Sequence, residues 1–193
     1  SVLQAMDELG YCPIVCSDTF HEGFDFYTSR AEVTGEELCE YLRINADAGR
    51  VNADLLDGPP ENTFCTFTMG THDQMLKLEE RLLGRFPGKL HAHVLRSPLY
   101  AGYMCEVAPA GVTKWSAIHR LAQQWGVPDD QICAVGDDVN DIPMIRAAGL
   151  GVAMGNALPS VKAVAARIAP TQDQDGLVEV VEWLLGDGLR GEG

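Results

Sequence analysis

From Pro109-Ala110-Gly111 onward the chain alternates helical patterns with short apolar runs, and few folds accommodate that order. Trp115, Ile118, Leu121, Ala122 and Trp125 recur at helical spacing, and Ile132 to Val135 is an apolar run. Ile142 to Ala148 is helical again, and Gly151 to Met154 is a second short strand. A helix after Pro159, a strand near Ile168-Ala169 and a last helix through Leu177, Val180, Val181, Leu184 and Leu185 complete the series. Short, uniformly apolar strands joined through helices form a parallel sheet covered on both faces. Ligands of such sheets sit at the carboxyl ends of the strands.

The chain before residue 108 reads differently. Val2, Ala5, Met6 and Leu9 have helical spacing that Gly10 stops, so residues 2 to 9 read as the end of a helix. Pro13-Ile14-Val15-Cys16 reads as a buried strand leading into the turn Ser17-Asp18-Thr19. Thr34-Gly35-Glu36-Glu37 has the form of a capping box, with Leu38, Tyr41 and Leu42 as the apolar stripe behind it. Cys65, Phe67 and Met69 alternate with Thr66 and Thr68, the period of a half-buried strand. Thr71-His72-Asp73-Gln74 opens a capped helix with the stripe Met75, Leu78, Leu82 and Leu83, ended by Pro87-Gly88. Alternation around His91 to Leu95 and Tyr103 to Val107 adds two strands, so residues 19 to 107 read as an α+β module with a mainly antiparallel sheet.

Charge narrows the function. The 28 Asp and Glu outnumber the 14 Lys and Arg, giving a formal net charge of -14 spread along the whole chain. No basic patch survives, and nucleic-acid binding depends on such patches, so that class is excluded. A small anion stays compatible where a metal or a few placed cations meet it. There is no apolar run of membrane-spanning length and no secretory leader pattern at Ser1 to Gly10, so a soluble, cytoplasmic protein without membrane partners is expected. The cysteines Cys12, Cys16, Cys39, Cys65, Cys105 and Cys133 form no CxxC pair and are expected as buried, reduced thiols.

Two places carry candidate chemistry. Gly136-Asp137-Asp138-Val139-Asn140-Asp141 follows an apolar strand directly and precedes a helix, with Gly136 allowing a tight turn. Its clustered oxygen ligands suit a hard cation such as Mg²⁺, which takes one or two carboxylates and leaves the rest to water and phosphate. An acidic turn in which Asn140 or Asp141 caps the next helix gives the same pattern. Lys114, at the start of a helix, adds charge to an end that is already positive, and the two fields together favour a phosphate dianion. A solvated surface Lys is the alternative. His91 and His93 share one side of a strand without an evident third ligand, His72 opens a helix, and His119 is a half-buried helix residue. Trp115, Trp125 and Trp183 are expected in apolar helix faces.

Taken in order, Pro109 to Lys114, Gly136 to Met144, Val152-Ala153-Met154-Gly155-Asn156-Ala157 and Thr171-Gln172-Asp173-Gln174-Asp175-Gly176-Leu177 resemble the Cof-type sugar phosphatases of the haloacid dehalogenase superfamily. The resemblance implies an α/β fold: an incomplete Rossmann-like parallel-sheet core plus an α+β cap. Its boundaries would be residues 1–17 as a piece of core, 18–107 as cap and 108–193 as the C-terminal half of the core. It also implies roles. Lys114 would bind phosphate, Asp137 would ligate Mg²⁺ with Asp141 nearby and Asp138 as the less direct candidate, and Asn140 would orient the phosphate or the nucleophile. The implied reaction is hydrolysis of a small phosphorylated metabolite, such as a sugar phosphate, through an aspartyl-phosphate.

The chain departs from that pattern in one respect. The family nucleophile lies in an Asp-x-Asp motif after the first core strand, followed by a Ser or Thr motif on the second, and neither motif is found. Asp173-Gln174-Asp175 belongs to the C-terminal loop, and Asp25-Phe26-Tyr27 falls in a hairpin of the first module. The expectation is a chain that is inactive alone, with the missing strands supplied by an upstream segment or a second chain. Strands 13–16 and 132–135 are then expected not to be neighbours. A phosphomannomutase-like phosphotransferase and a noncatalytic binding module are the alternatives.

Overall fold

The computed structural model describes residues 1–97 and 99–188. It divides into two compact units, Ser1–Gly111 and Val112–Gly193. In the first unit, chain order is α1 (Val2–Glu8), β1 (Ile14–Ser17), β2 (Phe26–Thr28), α2 (Glu36–Ile44), β3 (Gly49–Val51), β4 (Thr63–Gly70), α3 (His72–Arg85), β5 (Leu90–Arg96) and β6 (Tyr103–Pro109). The strands form one six-stranded sheet in the order β3-β2-β1-β4-β6-β5. Only β2 and β3 pair in parallel, so the sheet is mainly antiparallel as expected.

Helix α3 shows how sequence makes this unit. Thr71 accepts from the Gln74 N–H while the Gln74 side chain bonds the Thr71 N–H, which satisfies two donors the helix start leaves open. Met75, Leu78 and Leu82 then recur on one face and are fully buried against Ala5 and Met6 of α1 and Ala92, Cys105 and Val107 of the sheet. Burial pushes the Cys105 thiol up to about 12, so it behaves as a small core hydrophobe. On the opposite sheet face Leu38 packs with Ile14, Phe26, Phe67 and Met69.

Three expectations change here. The strand Pro13–Cys16 is placed in this sheet, hydrogen-bonded on one side to β2 and on the other to β4, rather than with a parallel core. Thr34 does not cap α2; Gly35 takes that position at φ 97, which excludes most side chains, and no side chain bonds the helix start. Strand β4 is not half-buried, since from Thr66 to Gly70 both faces are covered.

Glu79 on α3 is driven toward its protonated form by burial, partly opposed by His93. A carboxyl whose folded pKa is raised favours folding below its unfolded pKa of about 4.5 and loses that contribution as pH rises through the folded value. Glu79→Gln is therefore expected to raise the thermal midpoint at pH 7 and leave it unchanged at pH 4. Tyrosine signal reads this unit selectively, because Tyr11, Tyr27, Tyr41, Tyr100 and Tyr103 all lie within it.

The second unit runs α4 (Lys114–Trp125), β7 (Cys133–Gly136), α5 (Ile142–Ala147), β8 (Leu150–Ala153), α6 (Pro159–Lys162), β9 (Arg167–Ile168) and α7 (Gly176–Gly188). Its three strands pair in parallel in the order β7-β8-β9, as the alternation predicts. Val152, Ala153 and Val161 are fully buried, with Met144, Ile145, Ala169 and Val180 around them. Strands β1 and β7 belong to different sheets.

Two helix faces differ from expectation. Trp125 is 71% exposed at the end of α4, and on α7 it is Val180 and Trp183 that face the core, leaving Leu177, Val181, Leu184 and Leu185 exposed. All six cysteines are free, and Cys39 is exposed rather than buried. Among the described residues no helix is long and apolar enough to cross a membrane.

Candidate functional site

The site is built where β7 ends. Gly136 closes the strand, and Asp137 and Asp138 lead into a single turn of 3₁₀-helix, Val139–Asp141, that passes into α5 with Pro143 in its first turn. Asp138 caps that turn, its Oδ1 accepting from the Val139 N–H at 2.6 Å. Sequence reasoning assigns Gly136 to a tight turn; the structure gives a different reason. A Cβ there would stand 2.4 Å from the Asp141 Cβ, so glycine is required because Asp141 folds back underneath the strand end.

Asp141 is the anchor. It is 3% exposed, and both of its oxygens are engaged. Oδ2 accepts from the N–H groups of Asp137 at 2.9 Å and Asp138 at 3.2 Å, which curls the loop around the carboxylate. Oδ1 accepts from Lys114 Nζ at 2.5 Å. Lys114 is the first residue of α4, held there by a capping box between Thr113 and Ser116. Its placement at a positive helix end is thus offset by a buried carboxylate, and half of the Lys114 side chain remains open to solvent.

The structure therefore brings Lys114, Asp137, Asp138, Asn140 and Asp141 into one loop-and-helix-end constellation, but in unequal positions. Asp137 is exposed; its Oδ2 accepts from Asn156 Nδ2 at 3.2 Å, and its Oδ1 has no hydrogen-bond partner among the described residues. The side chain of Asn140 likewise has none among them. No group of three or more His, Cys, Asp and Glu could enclose a metal among the described residues, and this covers His91 and His93, whose rings stand 6.2 Å apart. His72 packs on Tyr103, and His119 Nδ1 lies 2.8 Å from Asp129 Oδ1.

Sequence reasoning gave no role to the two loops that flank Asp137. The loop after β8 lies against it, with the Leu158 N–H donating to the Asp137 carbonyl at 3.1 Å. The loop after β9 lies against the β8 loop, with the Gly155 N–H donating to the Pro170 carbonyl at 3.1 Å. No local signal could reveal these pairings, because they follow from the order of strands in the sheet.

Residues 28–181 match the haloacid dehalogenase-like hydrolase family. Phosphatase YwpJ of Bacillus subtilis is 38% identical over 95 residues, covering 49% of this chain and 33% of that protein. A phosphoglycolate phosphatase of Methanothrix thermoacetophila is 33% identical over 88 residues, 46% of this chain and 40% of that protein. The chain thus spans well under half the length of these relatives. The crystal structure of a haloacid dehalogenase-like hydrolase from Bacteroides thetaiotaomicron superposes with a TM-score of 0.68 at 28% identity, covering 95% of this chain and 65% of that one.

Proposed function

Because the chain belongs to the haloacid dehalogenase-like hydrolase family, we propose that its second unit supplies the phosphate-binding lysine and the cation-binding loop of a phosphomonoester hydrolase. The substrate class is a small phosphorylated metabolite, with a sugar phosphate favoured. The observation that carries this reading is the buried Asp141 carboxylate, which fixes both Lys114 and the loop bearing the exposed Asp137 at the carboxyl end of a parallel strand. Relatives named as phosphatases support it.

The donor set fits Mg²⁺. It is all oxygen, it offers an open carboxylate in Asp137, and an ion that keeps most of its water needs no closed protein cage. Asp137 would hold the cation, Asp141 would stand behind the same loop, and Asp138, already capping its turn, would contribute less. When bound, Mg²⁺ offsets phosphoryl charge and polarises the transferred group.

The remaining work falls to side chains. Lys114 has three donors and spends one on Asp141, so others can meet a phosphate oxygen at the N-terminus of α4. Asn140 would orient the phosphate or the attacking carboxylate. That carboxylate, which would form the aspartyl-phosphate, is not found in this chain, so the 193 residues alone are expected to bind but not turn over. The edge of β7 away from β8 is unpaired among the described residues, which supports completion of the sheet by strands of an upstream segment or a second chain.

The test is Mg²⁺-dependent hydrolysis of sugar phosphates by the protein in its natural length. Asp137→Ala is expected to lower kcat/KM by about 10²- to 10³-fold, the usual loss when one preorganised charge is removed from a transition state. Activity of Asp137→Ala within threefold of the unsubstituted protein would overturn the cation assignment.

A further inference from the structure

We propose that Asn156 is a positioning residue for Asp137, through which the loop after β9 sets the direction of the cation-binding carboxylate. The inference rests on the cation reading of Asp137 above and adds a residue and a route to it.

Asn156 is an exposed side chain whose two ends are both engaged. Its Nδ2 donates to Asp137 Oδ2 at 3.2 Å, and its Oδ1 accepts from the Gln172 N–H at 3.2 Å. Only one orientation of the amide satisfies both partners, because a carboxylate only accepts and a backbone N–H only donates.

The backbone carrying Asn156 is held on each side. Gly155 donates to the Pro170 carbonyl and its own carbonyl accepts from Lys162 Nζ at 2.6 Å, while Ala157, 5% exposed, donates to the Met154 carbonyl at 2.9 Å. Gly155 leaves no room for a side chain, since a Cβ would stand 2.7 Å from the Thr171 nitrogen. Three strand-end loops therefore converge on one amide: Asp137 after β7, Asn156 after β8 and Gln172 after β9.

The chemical consequence is specific. Asp137 is followed directly by Asp138, and a neighbouring carboxylate gives it no fixed direction. Engaging Oδ2 leaves Oδ1 as the Asp137 oxygen without a hydrogen-bond partner among the described residues, which favours one-oxygen ligation by a small, water-retaining cation. Partners of this kind, one step removed from a metal, typically change affinity by about 10- to 100-fold.

Titration calorimetry of this chain with MgCl₂ tests the proposal, with Trp-monitored unfolding as the control for folding. Asn156→Ala should weaken Mg²⁺ about 10- to 100-fold without moving the unfolding midpoint. Gln172→Pro removes the backbone N–H together with an exposed side chain that makes no hydrogen bond among the described residues, at the first residue of a helical turn where proline is tolerated. It should weaken Mg²⁺ by about threefold, the value of one hydrogen bond. The double variant should bind like Asn156→Ala alone, because the Gln172 bond acts through Asn156. Affinity of Asn156→Ala within twofold of the unsubstituted chain, or losses that multiply in the double variant, would overturn the proposal. If Asp137→Ala also leaves Mg²⁺ binding intact, or the chain takes up no Mg²⁺ at all, the cation reading falls and the inference with it. Loss in Asp137→Ala beside an unaffected Asn156→Ala rejects the inference alone.

Discussion

Alanine at position 151 is expected to destabilise the second unit by about 3 kcal/mol, the upper end of the cost of overpacking. Gly151 stands opposite Ala134 in the pairing of β8 with β7, and a Cβ there would lie 1.9 Å from the Ile145 carbonyl oxygen. The clash is with backbone, so no rotamer relieves it; α5 must leave the sheet or the sheet must yield. Tryptophan fluorescence in urea measures the effect directly, since Trp115, Trp125 and Trp183 all lie in the second unit. The tyrosine transition of the first unit should not move. Gly186→Ala is the matched control: it adds the same methyl on α7 with nothing within 4 Å, and alanine in a helix gains at most about 1 kcal/mol over glycine. A Gly151→Ala transition within 0.5 kcal/mol of the unsubstituted chain, a difference about the size of an ordinary surface change, would mean the close approach of α5 to β8 is wrong.

The parallel unit was legible because its strands are short, apolar and separated by helices, a pattern with few solutions. The Pro13–Cys16 strand was not, and the reason is physical. A short apolar run reads alike in a buried parallel strand and in the middle of an antiparallel sheet. What separates the two is the partner: Ile14 opposite Phe67 and Cys16 opposite Cys65 fix the register, and those partners lie about fifty residues away along the chain. The α2 cap failed in the opposite way. Thr34 and Glu37 have the right spacing, but Gly35 at positive φ starts the helix one residue later than the motif implies.

The site shows the same division. Lys114 and the aspartates were legible because each is chemically anomalous where it stands: a cation at a helix N-terminus and three acids in a row of five. Their unequal burial was not. Asp137 and Asp141 look equivalent as letters, and only the fold-back that Gly136 permits makes one exposed and the other buried. Asn156 stood in a motif without a role, because its partners Asp137 and Gln172 become neighbours only once β8 lies between β7 and β9.

Asp141→Ala is expected to cost about 3 kcal/mol in the second unit and to abolish Mg²⁺ and phosphate binding together. The buried carboxylate accepts two backbone N–H groups and one ammonium, and hydrogen bonds to a charged group contribute about 1.5–3 kcal/mol each, part of which water recovers once the site opens. Lys114→Met separates the contributions. It keeps the stem and removes the charge, and since half of the Lys114 side chain is already in water it should cost only about 1 kcal/mol. The unequal pair would show that the loop amides, more than the ion pair, hold Asp141 in place. If the two substitutions cost the same, the ion pair rather than the loop is what anchors Asp141. On the proposed cation reading, stability and binding meet at Asp141, because its buried carboxylate holds the loop while Asp137 Oδ1 keeps no partner among the described residues.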